Sequence, residues 1–195
     1  KCDIFLWEIK MKNFYKSEQS GRSMVEMLGV LAIIGVLSVG GIAGYSKAMA
    51  KFKLSKAMDQ VSMLVANIRT LYSGQRSYSG LTNTNAISFG VVPSEMAGTG
   101  STVTNAFGAP VTIAATGSDL QFSVRFTGLG QEACVSLATA DWGSGSGSGL
   151  VSIAPSSTST GGTAYSGSNL PVSLTNAASG CACSGSTCSI AWTYY

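Results

Sequence analysis

Two sets of residues have types and spacings that could do chemistry. The first is a lone carboxylate. The run GRSMVEMLGVLAIIGVLSVGGIAGYSKAM, from Gly21 to Met49, is apolar enough for a membrane span, yet it carries Glu26 near its start. A charge at the middle of a span costs about 2.5–3.5 kcal/mol on insertion scales and less near the ends, so a carboxylate kept there points to a partner charge and a function. The second set is thiols: Cys134, Cys181, Cys183 and Cys188, with Cys2 standing apart. In an oxidising compartment they would form disulfides. Four cysteines allow three connectivities, and the very tight Cys181–Cys183 ring is disfavoured by disulfide geometry. Two remain open: Cys134–Cys181 with Cys183–Cys188, or Cys134–Cys183 with Cys181–Cys188. Either long bridge closes about fifty residues and stabilises by roughly 4 kcal/mol on the chain-entropy model. The rival is a zinc site, but C-x-C-x₄-C lacks the paired C-x₂-C of structural zinc centres. No metal or cofactor is expected.

The rest of the inventory argues against catalysis. The chain has no histidine, which removes the usual general base and the commonest metal ligand together. From Ser77 to Tyr195 the charges are Glu95, Asp119, Arg125, Glu132 and Asp141 alone, with no paired carboxylates and no nucleophile–base pair. That half is rich in Gly, Ser and Thr with interspersed Val, Ile, Phe and Tyr, a composition suited to an exported, β-rich domain. Every basic residue but Arg125 lies at or before Arg76, so the excess of positive charge comes from that part of the chain. Lipid headgroups, rather than nucleic acid, are its expected partner.

The elements that must position these residues begin with a helix. Ser23 to Gly44 contains no charge but Glu26, and 22 residues at about 1.5 Å each span roughly 33 Å, a bilayer core. Gly29, Gly35, Gly40, Gly41 and Gly44 would let helices approach closely. What precedes is short and basic: MKNFYKSEQSG from Met11, with Lys12 and Lys16. A secretory signal places its small-residue cleavage site after the apolar region. Here Gly21 comes before it, so cleavage after Gly21 would remove a leader and keep the hydrophobic segment. Residues 1–10, including Cys2, read as upstream material. Lys47, Lys51, Lys53 and Lys56 follow the span, so a positive-inside count does not set the orientation. The cysteines place the C-terminal domain outside.

With glycine, glutamate at a fixed distance and an apolar run in that order, GRSMVEMLGVLAIIGVL resembles the prepilin signature of type IV pilins and pseudopilins. The resemblance implies that a prepilin peptidase cuts between Gly21 and Arg22, leaving Glu26 five residues into the mature chain. It implies that Glu26 meets the N-terminal amine of a neighbouring copy. A buried carboxylate is far less costly when paired, and opposite charges fix register as copies add. One residue departs from the pattern: the first mature position is usually apolar, and here it is Arg22. The partners implied are further copies in a helical filament, the inner membrane before assembly, the peptidase, an assembly ATPase with its inner-membrane platform, and an outer-membrane secretin.

Leu54, Met58, Val61, Leu64, Val65, Ile68, Leu71 and Tyr72 recur at three- and four-residue spacing, the stripe of an amphipathic helix. With the span it predicts one helix of about 50 residues, ended by SGQRSYSG from Ser73 to Gly80. Leu120, Phe122, Val124 and Phe126 alternate with polar residues, as do Ile190, Trp192 and Tyr194, and Val111 to Ala114 is a weaker third strand. WGSGSGSG from Trp142 and SSTSTGGTAYSGSN from Ser156 read as flexible loops. The fold expected is α+β, a long helix on an antiparallel sheet. The resemblance adds a disulfide-bounded C-terminal region of the type IVb kind. The organisation expected is a leader over 1–21, an assembly helix over 22–45 and an exported domain over 46–195. The leading function is the major subunit of a type IVb-like surface pilus. A minor pilin or secretion pseudopilin is the alternative within the family, and a membrane-tethered binding module that never polymerises is the alternative outside it.

Overall fold

The computed structural model describes residues 24–143 and 147–195. Gly21, Arg22 and the leader expected over 1–21 lie outside the described residues. Contacts divide the chain into two compact units that meet between Ala48 and Met49.

The first helix, α1, runs from Met24 to Tyr72. Proline is absent from this stretch, and Leu, Met, Ala and Lys are good helix formers. Ser73 and Gly74 end it. In the second unit α1 buries Ala57, Gln60, Val61, Leu64, Val65 and Ile68, the spacing of one helical face. Leu71, expected in that stripe, is instead 42% exposed. Gln60 is the polar member of the face, 2% exposed. Its Oε1 accepts the Ala106 N–H at 2.9 Å and its Nε2 donates to Glu95 Oε1 at 3.1 Å. Lys56 Nζ sits 3.0 Å from the other oxygen of Glu95. The Gln60 and Lys56 donors hold the Glu95 carboxyl below its usual range. Gln60→Ala leaves the Ala106 N–H without that partner at a part-buried site, a cost of about 1–3 kcal/mol. Chemical denaturation should show that loss, and Gln60→Glu should not repair it, because a carboxylate would face Glu95.

The long connection after α1 carries a short helix, α2 (Asn83–Ser88), capped by the Thr82 side chain accepting from the Asn85 N–H. Two asparagines then stand in for backbone partners. Asn83 donates to the Val111 carbonyl and accepts the Ile113 N–H, which covers part of a strand edge that would otherwise recruit another chain. Asn105 accepts the N–H groups of Phe107 and Ala109 and donates to the Thr127 carbonyl.

The sheet is built from β1 (Val111–Thr116), β2 (Gln121–Leu129), β3 (Leu150–Ser156), β4 (Tyr165–Ser166) and β5 (Cys188–Tyr194). Its order is β1-β2-β5-β3-β4, and every neighbouring pair is antiparallel. The last strand in sequence is therefore the central one. Phe122, Val124 and Phe126 of β2 face the core with Trp192, Ile190 and Leu64. Leu120, expected in this strand, is exposed because the chain turns just before it, with Ser118 and Asp119 at φ of 57° and 64°. Gly128 adopts φ 69° where the β2–β5 register shifts, and a Cβ there would run into Ala109.

Besides α2 and the short β4, the structure adds three elements beyond the sequence expectation. Helix α3 (Gln131–Thr139) follows β2, helix α4 (Leu174–Gly180) precedes the cysteine cluster, and β3 holds Pro155 opposite Ile190. Proline is tolerated there because β4 pairs only with Ser152 and Ile153, leaving β3 an edge further on. The serine-rich segment after β3, expected to be flexible, is pinned. Arg125 Nη1 donates to the Gly161 carbonyl at 2.9 Å, and Ser189 Oγ donates to the Thr158 carbonyl at 2.6 Å. Burial lowers the Arg125 pKa. Ser189 and Ala191 are buried in consequence, so β5 is covered on both faces rather than alternating.

Candidate functional site

Glu26 lies in the first turn of α1, where the helix dipole favours a negative charge. It is exposed, as is every described residue before Met49. Met24 is 85% exposed and Val36 76%, and Leu28, Leu31, Ile33, Ile34, Leu37 and Ile42 are exposed by more than half. This segment is the one helix among the described residues long and apolar enough to cross a membrane. A run of apolar side chains this long exceeds the patches that soluble monomers leave open, and it marks a surface that something else must cover. At about 100° per residue, Glu26, Ile33, Leu37, Gly40 and Gly44 share one face. Nothing lies within 4 Å of the place a Cβ would occupy on Gly29, Gly35, Gly40, Gly41 or Gly44. Gly40-x-x-x-Gly44 on that face has the small-residue spacing that lets two helices come close.

The cysteines take the first of the two pairings left open by the sequence. Cys134 of α3 bonds to Cys181 at the end of α4, with Cα atoms 5.8 Å apart. Cys183 bonds to Cys188, the first residue of β5. The two bridges thus tie α3, α4 and the start of β5 into one cluster, in which Cys134, Cys181 and Cys188 are fully buried. Their role is to hold the C-terminal third, and none is a free thiol.

Sequence reasoning missed a groove in the second unit. Its walls are Ala50, Lys51 and Leu54 of α1, with Glu132, Ala133 and Ser136 of α3. It has a volume of ≈ 210 Å³ and is mainly apolar. The missing signal was α3 itself: its nine residues show only Cys134, Leu137 and Ala138 as buried positions, too short a pattern to separate from loop. Gln60 was legible in principle, being the one polar residue at a stripe position between Ala57 and Leu64.

Residues 52–194 match the family model described as PilS N terminal. Over 131 residues the chain is 31% identical to the major structural subunit of the bundle-forming pilus of Escherichia coli O127:H6, covering 66% of this chain and 68% of that protein. The corresponding protein of Escherichia coli O111:H- matches equally. Among solved structures, the fold is similar to that of a type IVb pilin from Salmonella typhi, with a TM-score of 0.54 and 22% identity over 74% of this chain and 98% of that one.

Proposed function

The chain belongs to the PilS family of type IV pilins, and from that membership we propose that it is the structural subunit of a surface pilus of the type IVb class. The observation that carries the reading is the exposed apolar half of α1 attached to a unit with a closed core. Such a helix has two acceptable surroundings, lipid and other copies of itself. Burial of apolar surface is worth about 25 cal/mol per Å² in either, so transfer from bilayer to filament is nearly balanced. The role is therefore assembly rather than catalysis.

In this reading the precursor sits in the inner membrane through residues 22–45. A prepilin peptidase removes residues 1–21 by cutting after Gly21, and an assembly ATPase, its membrane platform and a secretin bring the filament outside. Residues 46–195 coat its surface. Glu26 is retained because each added copy presents it to a cation of a neighbour. N-terminal sequencing of the mature protein, with electron microscopy of material sheared from the cells, tests the proposal. The expected result is a sequence starting at Arg22 and an abundant band that forms filaments. An intact precursor that stays in the membrane would overturn it in favour of a tethered module.

A further inference from the structure

We propose that Lys51 and Lys53 bind the phosphates of anionic phospholipid on the outer face of the inner membrane, and that this contact holds each copy before assembly. The inference rests on the reading above, in which residues 22–45 span that membrane and the second unit lies outside it.

The sequence poses the problem. Lys47, Lys51, Lys53 and Lys56 all follow the span, on the exported side. Basic residues ordinarily gather on the cytoplasmic side of a span, and carrying a cation outward works against the membrane potential. Lysines kept there need a compensating partner.

The structure separates them. Lys56 Nζ has its carboxylate, Glu95, 3.0 Å away. Lys51 and Lys53 are exposed, and among the described residues neither forms an ion pair. Glu132 lines the same groove as Lys51 and still makes no pair with it. The lysine with a protein partner is thus the one furthest along the chain from the span. Helix geometry aims the other two. Cα–Cβ bonds tilt toward the helix N-terminus, so a side chain covers the turn before its own. On α1 that is the direction of the span, and a lysine stem lying along the helix carries its ammonium back toward the headgroup layer.

Aromatic side chains complete the belt. Tyr45, directly after Gly44, is 67% exposed, and Phe52, between the two lysines, is 63% exposed. Phe52 lies on the side of α1 opposite the buried Val61 and Ile68. Aromatic and basic residues just past an apolar run are what a helix presents to a lipid–water boundary. Lys51, Phe52 and Lys53 spread over about 200° of the helix surface, the arc that the buried face leaves open. That spread suits a layer surrounding the helix better than the acid of a neighbouring copy touching one side.

Site-resolved acylation of the full chain tests the contact. Only the unprotonated amine reacts, so an ammonium held by phosphate reacts more slowly in proportion. In vesicles of phosphatidylcholine with added phosphatidylglycerol, Lys51 and Lys53 should each react about fivefold more slowly than in phosphatidylcholine alone. Lys56, already paired, should change little, and raised salt should remove the difference. Glu132→Gln should leave the slowing intact. Equal rates for Lys51 and Lys53 in the two vesicle types would overturn the proposal. Slowing that follows the density of copies in the vesicle, and not the phosphatidylglycerol, would overturn it in favour of a neighbouring copy's acid. Neither outcome touches the pilus reading, since the vesicles need no filament; failure of that reading shows separately, as an uncut precursor and no filaments in sheared material.

Discussion

Glu26→Val should abolish filaments while leaving a protein of normal abundance in the membrane, with both disulfides formed. The side chain is exposed and lies in the first unit, away from the core cluster of the second, so folding gains nothing from it. In the membrane, removing the charge makes insertion easier rather than harder. The loss falls on assembly alone. Once lipid is replaced by neighbouring helices, a cation facing position 26 would be buried without a partner, and breaking one member of a buried pair costs about 3–5 kcal/mol. That is roughly two to three and a half powers of ten for each added copy, enough to empty the sheared fraction. Glu26→Gln separates charge from shape: it keeps the volume and some hydrogen bonding, and it should also fail. Abundant pili from either variant would remove the role assigned to this residue.

The second large effect concerns the bridges, which are unequal. Cys134–Cys181 closes a separation of 47 residues and Cys183–Cys188 a separation of 5. On the chain-entropy model the first is worth about 4 kcal/mol and the second about 2. Against a typical domain stability of about 5–15 kcal/mol, replacing Cys134 and Cys181 together by Ala removes a large fraction of what holds the unit. Three of the four sulfurs' residues are fully buried, so the double replacement also leaves space in the core. The Cys134/Cys181 double variant should denature at markedly lower urea than the Cys183/Cys188 double variant, followed by near-ultraviolet circular dichroism. Equal midpoints would refute the ranking. In cells the first variant should be degraded and leave no pili, while the second should assemble at reduced yield.

How much of this was legible in the sequence follows from where the signals were strong. The long helix declared itself because apolarity without interruption has one reading over 20 residues, and the stripe from Leu54 onward repeats at helical spacing. The β2 alternation was equally plain. The central strand was harder. Ile190, Trp192 and Tyr194 alternate, yet Ser189 and Ala191 are buried too, because a strand paired on both sides and roofed by a loop has no solvent face. The roof depends on Arg125 and Ser189 reaching carbonyls more than thirty residues away, which no local pattern can announce. Composition said "flexible" for that segment, and tertiary hydrogen bonds overrode it. The cysteines were legible as a set but their pairing was not, since the choice depends on where α4 ends relative to α3. For the proposed assembly contact, Glu26 stood out because hydrocarbon makes a carboxylate conspicuous. The groove of the second unit did not, because Lys51 and Glu132 are unremarkable until α3 is packed beside α1.

The placement of β5 carries a consequence for the order of events during biogenesis. β1 with β2, and β3 with β4, are each hairpin-like pairs made from chain that emerges early. They share no strand until residues 188–194 slide between them, pairing Phe122 with Tyr194 on one side and Ile153 with Trp192 on the other. Contacts so distant in sequence form late and slowly. The two bridges sit around the entry of that strand, so correct oxidation reports that the chain has arrived as far as Cys188. A subunit that stops before residue 188 would present two open sheet edges and leave Cys183 without its partner. Both are features that export-compartment proteases and disulfide exchange act upon, and the geometry thereby withholds incomplete copies from the growing fibre.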